Sequence, residues 1–142
     1  YKRALKNKGI KIKSQFILNG NFTVDSGHLS VKEYLDNYGL DFSAIFATND
    51  QMAIGAIKAL NDKGISVPEE VSIVGFDDSY ISPYIIPPLT TIKQRRVEMG
   101  RIAAELLLDR IISDHKKGRT PRQVILPVEL IKRESAISLS SK

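Results

Sequence analysis

The fold is decided by residues 71–94, which read VSIVGFDDSYISPYIIPPLTTIKQ. The stretch opens with an apolar run rich in β-branched residues, at 71–76, which is typical of a strand buried on both faces in a parallel sheet. Two carboxylates, Asp77 and Asp78, end that run, and a proline-containing connection leads to a second β-branched run at 90–92. Because ligands of open α/β sheets bind outside the carboxyl ends of the strands, Asp77 is a candidate ligand-binding residue.

Strand and helix patterns alternate upstream of this stretch. Residues 10–18 carry a strand pattern, and apolar residues at helical spacing follow between Ser26, a possible N-cap, and Gly39. Residues 43–48 form a second apolar strand pattern, and the sequence TNDQ at 48–51 has the form of a capping box that opens another helix. Such alternation predicts parallel βαβ units with right-handed crossovers.

Downstream of the same stretch, a long helix is predicted over residues 96–113 and an alternating strand over residues 123–132. Pro127 indicates that this strand lies at an edge of the sheet or at a bulge. The helix carries one apolar stripe, which consists of Met99, Ile102, Ala103, Leu106 and Leu107. We expect another chain, a domain swap or an unusual packing to cover that stripe.

Composition limits the classes of function. The 142 residues are 42% hydrophobic and 26% charged, as in an ordinary soluble domain, and they include no cysteine for a disulfide or a thiolate metal site. No spacing around His28 or His115 suggests a metal site, and no apolar run approaches the roughly 20 residues that span a bilayer. The net charge of +5 comes from scattered basic residues without interleaved aromatics, which favours a solvated surface over a nucleic-acid footprint.

Two predicted strands end in side chains that can bind polar ligands. Asn49 and Asp50 follow one strand, and Asp77 and Asp78 follow the next; carboxylates and amides together suit vicinal hydroxyl groups. Phe22 could cover the apolar face of a sugar ring. Plainer explanations exist, because Asn49 and Asp50 also suit a helix N-terminus, Asp78 suits a turn and Phe22 suits a core or a lid. Asp77 is harder to explain in this way, since a carboxylate directly after a buried strand needs partners.

Catalytic motifs are few in this sequence. It contains no G-x-S-x-G elbow, no cysteine nucleophile, no G-x-G-x-x-G fingerprint and no P-loop. An enzyme with a Rossmann-like fold that acts on a small polar substrate is therefore a secondary hypothesis, which a turnover assay with candidate sugars would test.

Four linked stretches strongly resemble the LacI/GalR family of bacterial transcriptional repressors. They read AIFATNDQMAIGAIKAL at 44–60, GISVPEEVSIVGFDDS at 64–79, IPPLTTIKQ at 86–94 and LPVELIKRES at 126–135. Their order and their spacing agree with that family over nearly the whole chain. The resemblance implies an α/β fold: a truncated part of a two-lobed, periplasmic-binding-protein-like (type I) core with a Rossmann-like parallel sheet.

The resemblance also implies a division of the chain. Residues 1–78 would belong to the C-terminal lobe, 79–89 would bridge the lobes and 90–118 would belong to the N-terminal lobe, whose remainder is absent. Residues 119–142 would provide the return strand across the hinge and the C-terminal tail. The helix-turn-helix headpiece of the family, through which operator DNA is bound, would lie outside these residues.

Site residues follow from the same resemblance. Asp77 and Asn49 match effector-binding positions, Phe22 matches the aromatic residue that packs against the effector, and Gln94 lies near the lobe crossover, where it would approach the ligand. Ile54 and Ile85 match surfaces that form dimers in the family.

The implied function is that of a cytoplasmic, homodimeric transcriptional repressor, with neither cofactor nor metal nor membrane partner. A small effector, expected to be a sugar, would bind between the lobes and shift the affinity for DNA. A periplasmic sugar-binding protein of a transporter is the alternative, because it would share the same core and the same use of Asp77 and Asn49.

Overall fold

The computed structural model describes residues 1–112 and 121–138. Its helices are α1 (Lys2–Asn7), α2 (Val24–Tyr38), α3 (Asp50–Asp62) and α4 (Arg96–Ile112), and a short 3₁₀ turn covers Ser14–Phe16. Its strands are β1 (Ala44–Phe46), β2 (Ser72–Asp77), β3 (Thr90–Lys93) and β4 (Glu129–Ile131).

The described strands form one sheet in the order β1-β2-β3-β4. β1 pairs with β2 in parallel, with Ile45 opposite Ile73, and β2 pairs with β3 in parallel, with Val74 opposite Thr90. β4 is antiparallel to β3 and has a described neighbour on one side only, in agreement with the edge position that Pro127 indicated. The predicted α/β class with a mainly parallel sheet is therefore confirmed.

The core lies between this sheet and the helix pair α2–α3. Apolar residues from α2, α3 and β2 are buried together: Val31, Leu35, Ala53, Ala56, Ile57, Leu60 and Ile73. The two helices approach closely because a glycine faces the other backbone at each crossing point. A Cβ on Gly55 would lie 2.0 Å from the Val24 carbonyl oxygen, and a Cβ on Gly27 would lie 2.3 Å from the Met52 carbonyl oxygen.

The two helix caps differ from the sequence prediction. Thr23 caps α2, because its hydroxyl oxygen accepts a hydrogen bond from the Ser26 amide at 3.2 Å, so Ser26 lies inside the first turn. Asn49 caps α3, because its side-chain oxygen accepts from the Met52 amide at 2.9 Å. The predicted capping box headed by Thr48 is therefore displaced by one residue, and asparagine is at least as good a cap as threonine.

The predicted strand at residues 10–18 is wrong. The segment forms the turn Ser14–Phe16 instead, and Ile10 is exposed. A strand needs a neighbouring strand to satisfy its backbone, and no described strand pairs with this segment. Its apolar residues also lack a strict period of two. Phe16 packs its ring 6.1 Å from that of Tyr34, which ties the segment to α2.

The predicted lobe boundary at residue 90 does not coincide with a break in the fold. β3 pairs with β2 along its whole length, and Leu89, Thr90 and Thr91 are buried in the same body as the preceding residues. The sheet therefore continues through Lys93, and a crossing to another lobe would follow that residue. The assignment of the later residues to a second lobe stays a prediction.

Helix α4 extends as predicted, up to the last residue described before the gap. None of its residues is buried, and large apolar side chains such as Met99 and Leu107 are exposed. The predicted stripe is thus uncovered in the described residues, and what covers it stays a prediction. No described helix combines the length and the apolar character that a membrane crossing requires.

Candidate functional site

Asp77 lies at the carboxyl end of β2, as the sequence predicted. It has a φ of 119°, which places the residue in a backbone region that side-chain-bearing residues rarely adopt. The carboxylate is half-buried, and its Oδ1 accepts a hydrogen bond from Gln94 Nε2 at 2.6 Å. Gln94 directly follows β3, whose last residue, Lys93, is the register partner of Asp77. The parallel pairing of β2 and β3 therefore brings these two predicted site residues together.

Asp78 anchors the return segment of the chain, which contains β4 and Arg133. Its Oδ1 accepts from Arg133 Nη2 at 2.7 Å, and Lys93 Nζ lies 3.9 Å from its other oxygen. Arg133 also donates through Nη1 to the Leu89 carbonyl oxygen at 2.8 Å. The sequence left open whether Asp78 was only a turn residue, and it missed Arg133 entirely. No local pattern connects residues 55 positions apart, so only the fold reveals this pair.

Both polar atoms of the Asn49 side chain form hydrogen bonds within the local structure. Its oxygen caps α3, and its Nδ2 donates to the Phe22 carbonyl oxygen at 2.9 Å. That bond holds the loop in which Phe22 has a φ of 68° and is 64% exposed. An amide oxygen has a second lone pair and an amide nitrogen a second proton, so each end retains capacity for a ligand. The cap explanation is confirmed, and the binding role stays a prediction.

The sequence left Asp50 open between a ligand-binding residue and a helix-start residue, and it gave no sign of the buried network that this residue forms. Asp50 is 1% exposed, and it accepts hydrogen bonds from the Ser79 amide at 2.7 Å, from Ser82 Oγ at 2.6 Å and from Thr91 Oγ1 at 2.5 Å. These donors come from the loop after β2 and from β3. Asp50 therefore joins the start of α3 to the segment that immediately follows Asp77.

The two predicted pairs of polar residues lie at one edge of the sheet. β1 and β2 are parallel, and the ladder extends to a hydrogen bond from the Ala47 amide to the Val74 carbonyl oxygen at 2.9 Å. Asn49 follows β1, and Asp77 ends β2, so both loops leave the same edge. The contacts of Asp50 then connect one loop directly to the other.

Two grooves lie near these loops. An apolar groove of about 600 Å³ runs beside β1, with Phe22, Thr48 and Met52 among its lining residues, but neither Asn49 nor Asp77 lines it. Since those two residues stand outside it, the groove is an uncovered side of the core rather than the predicted site. Among the described residues, no cluster of histidine and acidic side chains is arranged to hold a metal ion.

The second groove, of about 290 Å³, brings together Ile54 and Ile85, the residues predicted to form dimer contacts. Its rim is charged. Lys58 Nζ lies 2.8 Å from a carboxylate oxygen of Asp62, and His28 Nε2 lies 2.8 Å from the other. The hydrogen bond from Lys58, with a smaller contribution from His28, lowers the pKa of Asp62. An apolar centre with a charged rim is a common design of protein interfaces.

Comparison with known proteins agrees with this architecture. The sequence model of the periplasmic binding protein-like domain matches residues 1–136. The chain is 40% identical over 140 residues to the HTH-type transcriptional regulator AscG of Escherichia coli K12, an alignment that covers 99% of this chain and 40% of the relative. The chain thus spans about two fifths of the length of such curated relatives.

Solved structures give the same result. The complex of the transcriptional regulator CelR with cellobiose superposes with a TM-score of 0.85 at 37% identity, over 95% of this chain and 40% of that one. A LacI family transcriptional regulator from Enterococcus faecium with bound ribose superposes with a TM-score of 0.79 at 37% identity, over 98% of this chain and 50% of that one. The chain therefore belongs to the family of periplasmic binding protein-like domains, in the form that LacI-family transcriptional regulators carry.

Proposed function

We propose that this chain is part of the effector-binding core of a cytoplasmic transcriptional repressor that controls genes of carbohydrate use. The observation that carries the proposal is the half-buried Asp77 carboxylate, held at the end of a central parallel strand beside Gln94. Relatives bound to cellobiose and to ribose support a sugar as the effector, and the regulators among the relatives favour this function over a transporter component.

The chemistry of the site suits a polyol. The Oδ2 atom of Asp77 accepts no hydrogen bond from the described residues, so a ligand hydroxyl can donate to it. Asn49 offers both a donor and an acceptor, which suits a hydroxyl that must do both. Phe22, exposed on its fixed loop, supplies an apolar ring face against the C–H face of a sugar.

The position of Gln94 suggests how binding is transmitted. Gln94 lies between β3 and α4, so it marks the point at which the chain leaves the sheet. A ligand whose hydroxyl group binds Asp77 Oδ2 lies beside the Gln94 amide on Oδ1, so it can also contact Gln94 and change the contacts of the segment that leads into α4. Binding shifts a lobe orientation, and with it the DNA affinity of the headpiece, only as far as the ligand prefers one orientation over the other.

We assign the groove between Ile54 and Ile85 to the homodimer contact. Both residues come from elements that hold the site, because Ile54 lies on α3 and Ile85 lies in the connection after β2. In such a dimer, the loops that carry Asn49 and Asp77 would lie only a short way along the chain from the interface residues Ile54 and Ile85. The partner in this contact is a second copy of the chain, and operator DNA would be bound through a separate headpiece.

The experiment begins with a thermal-shift screen of mono- and disaccharides against the full-length protein, since a ligand that binds only the folded state raises its melting temperature. For the sugar that gives the largest shift, calorimetry then compares the affinity of the original protein with that of Asp77→Asn. Loss of a hydrogen bond to a charged acceptor costs about 1.5–3 kcal/mol, which is roughly a tenfold to hundredfold loss of affinity. Asparagine is chosen because it tolerates a positive φ better than alanine.

Asp109→Asn is the matched control, because the one ion pair that Asp109 of α4 makes with the described residues is an exposed one, with Arg122 at 3.4 Å. Its affinity for the sugar should equal that of the original protein. Equal affinities for Asp77→Asn and for the control would contradict the assignment of Asp77, and a screen without any stabilising sugar would contradict the sugar effector.

A further inference from the structure

The carboxylate of Asp50 is an unusual group for its position. It is 1% exposed, and no described lysine or arginine lies within ion-pair distance of it. Its charge is instead balanced by three hydrogen-bond donors: the Ser79 amide, the Ser82 hydroxyl and the Thr91 hydroxyl. A buried charge without a cation is costly, so a chain that contains one must hold these donors firmly around it.

These donors surround the turn that carries the proposed ligand-binding aspartate. Asp77 and Asp78 both have positive φ values, 119° and 52°, and Ser79 is the first residue after them. The Ser79 amide donates directly to Asp50. Thr91 donates its hydroxyl proton to Asp50 at 2.5 Å, while its oxygen accepts from the Asp78 amide at 3.4 Å. The strained turn is therefore held by Asp50 from two sides.

The backbone around Asp50 is adapted to this arrangement. A Cβ on Gly75 would lie 2.3 Å from Asp50 Oδ1, so β2 needs a glycine at that position to admit the carboxylate. Asp50 is also the first residue of α3, adjacent to the Asn49 cap, where the helix dipole favours a negative charge. One buried group thus connects the loop of Asn49 with the turn of Asp77.

We propose that Asp50 is a positioning residue for effector recognition, which sets the orientation of the Asp77 carboxylate through Ser79 and Thr91 without contacting the effector. The proposal rests on the function proposed above, since it concerns how the same site is held. A substitution that keeps the size of Asp50 but removes its charge, Asp50→Asn, places an amide NH₂ against donors and releases the turn.

The first arm of the test needs no ligand. Hydrogen exchange of the Ser79 amide is measured in the full-length protein, in Asp50→Asn and in the control Ser135→Ala. Ser135 is an equally buried hydroxyl that donates to the Ile73 carbonyl oxygen at 2.7 Å, four residues before Asp77 on β2. We expect faster exchange at Ser79 in Asp50→Asn alone. Unchanged protection of Ser79 in that variant would overturn the proposal.

The second arm is a double-mutant cycle on affinity for the sugar that gives the largest thermal shift. Asp50→Asn should weaken binding about tenfold in the original background, and by less than about twofold in the Asp77→Asn background, because its effect passes through Asp77. Equal losses in both backgrounds would mean that Asp50 affects binding independently of Asp77, and would also overturn the proposal. If no sugar binds in the screen, only the proposed function is contradicted, because the hydrogen-exchange measurement still tests the role of Asp50.

Discussion

Arg133→Met is the substitution for which the structure gives the clearest stability estimate. The Arg133 guanidinium donates to Asp78 Oδ1 at 2.7 Å and to the Leu89 carbonyl oxygen at 2.8 Å. The side chains of Arg133 and Asp78 are only 17% and 15% exposed, so solvent screens the pair weakly. Methionine keeps much of the packing volume while it removes both hydrogen bonds and the charge.

The magnitude follows from these contacts. Hydrogen bonds to charged groups contribute about 1.5–3 kcal/mol each, and removal of one member of a buried ion pair costs about 3–5 kcal/mol. Lys93 Nζ lies 3.9 Å from the other Asp78 oxygen and compensates in part. We therefore expect the free energy of unfolding to fall by about 2–4 kcal/mol, measured by urea unfolding followed by far-ultraviolet circular dichroism.

The control is the same substitution at Arg122. Its ion pair with Asp109 spans 3.4 Å between side chains that are 71% and 67% exposed, so Arg122→Met should change stability by less than about 1 kcal/mol. In a cycle with Asp78→Asn, the pair Arg133–Asp78 should show a coupling of about 1–3 kcal/mol. Equal effects of the two arginine substitutions, or a coupling near zero, would refute the view that this pair fastens the return segment to the turn.

Two further predictions concern helix packing and pH. Gly55→Ala would place a Cβ 2.0 Å from the Val24 carbonyl oxygen and should cost about 1–3 kcal/mol in urea unfolding. A Cβ on Gly100 would meet no described atom beyond its own helix within 4 Å, so Gly100→Ala should stabilise by up to about 1 kcal/mol. Equal effects of the two substitutions would contradict the close approach of α2 and α3. Hydrogen bonds from Lys32 and then Lys63 lower the pKa of Asp36 to about 2, so their contribution to stability is present above about pH 4 and is lost as the pH falls towards 2. Carbon NMR titration should place the Asp36 midpoint near 2, and Lys32→Met should raise it; an ordinary midpoint in the original protein would exclude these bonds in solution.

Local sequence patterns correctly predicted those helices and strands whose formation depends mainly on their own residues. The β-branched run before Asp77 became β2, and apolar residues at helical spacing became α2, α3 and α4. The strand predicted at residues 10–18 is wrong. An apolar segment becomes a strand only if it pairs with a neighbouring strand, and the sequence does not show that pairing. The sequence also did not show that residues 90–93 continue the sheet, since only the register of β3 against β2 reveals it.

The candidate site shows the same division. Asp77 could be found from sequence because a carboxylate directly after a buried strand stands out, and the resemblance to known regulators pointed to Asn49, Phe22 and Gln94. The buried network of Asp50 could not be predicted, because its local pattern is that of any helix start and its partners lie 29 to 41 residues away. Arg133 had no local signal at all, because arginine in a polar segment is common and its partner lies far along the chain.

The exposure of α4 to solvent has a practical consequence for work on this protein. None of the 17 residues of the helix is buried, so packing among the described residues does little to stabilise it, and helices of that length are marginal on their own in water. A recombinant polypeptide that contains these 142 residues and nothing more would offer a protease an accessible cutting site there and would tend to self-associate through the same side chains. Preparations of this polypeptide should therefore be checked for cleavage within α4 and for association that increases with concentration.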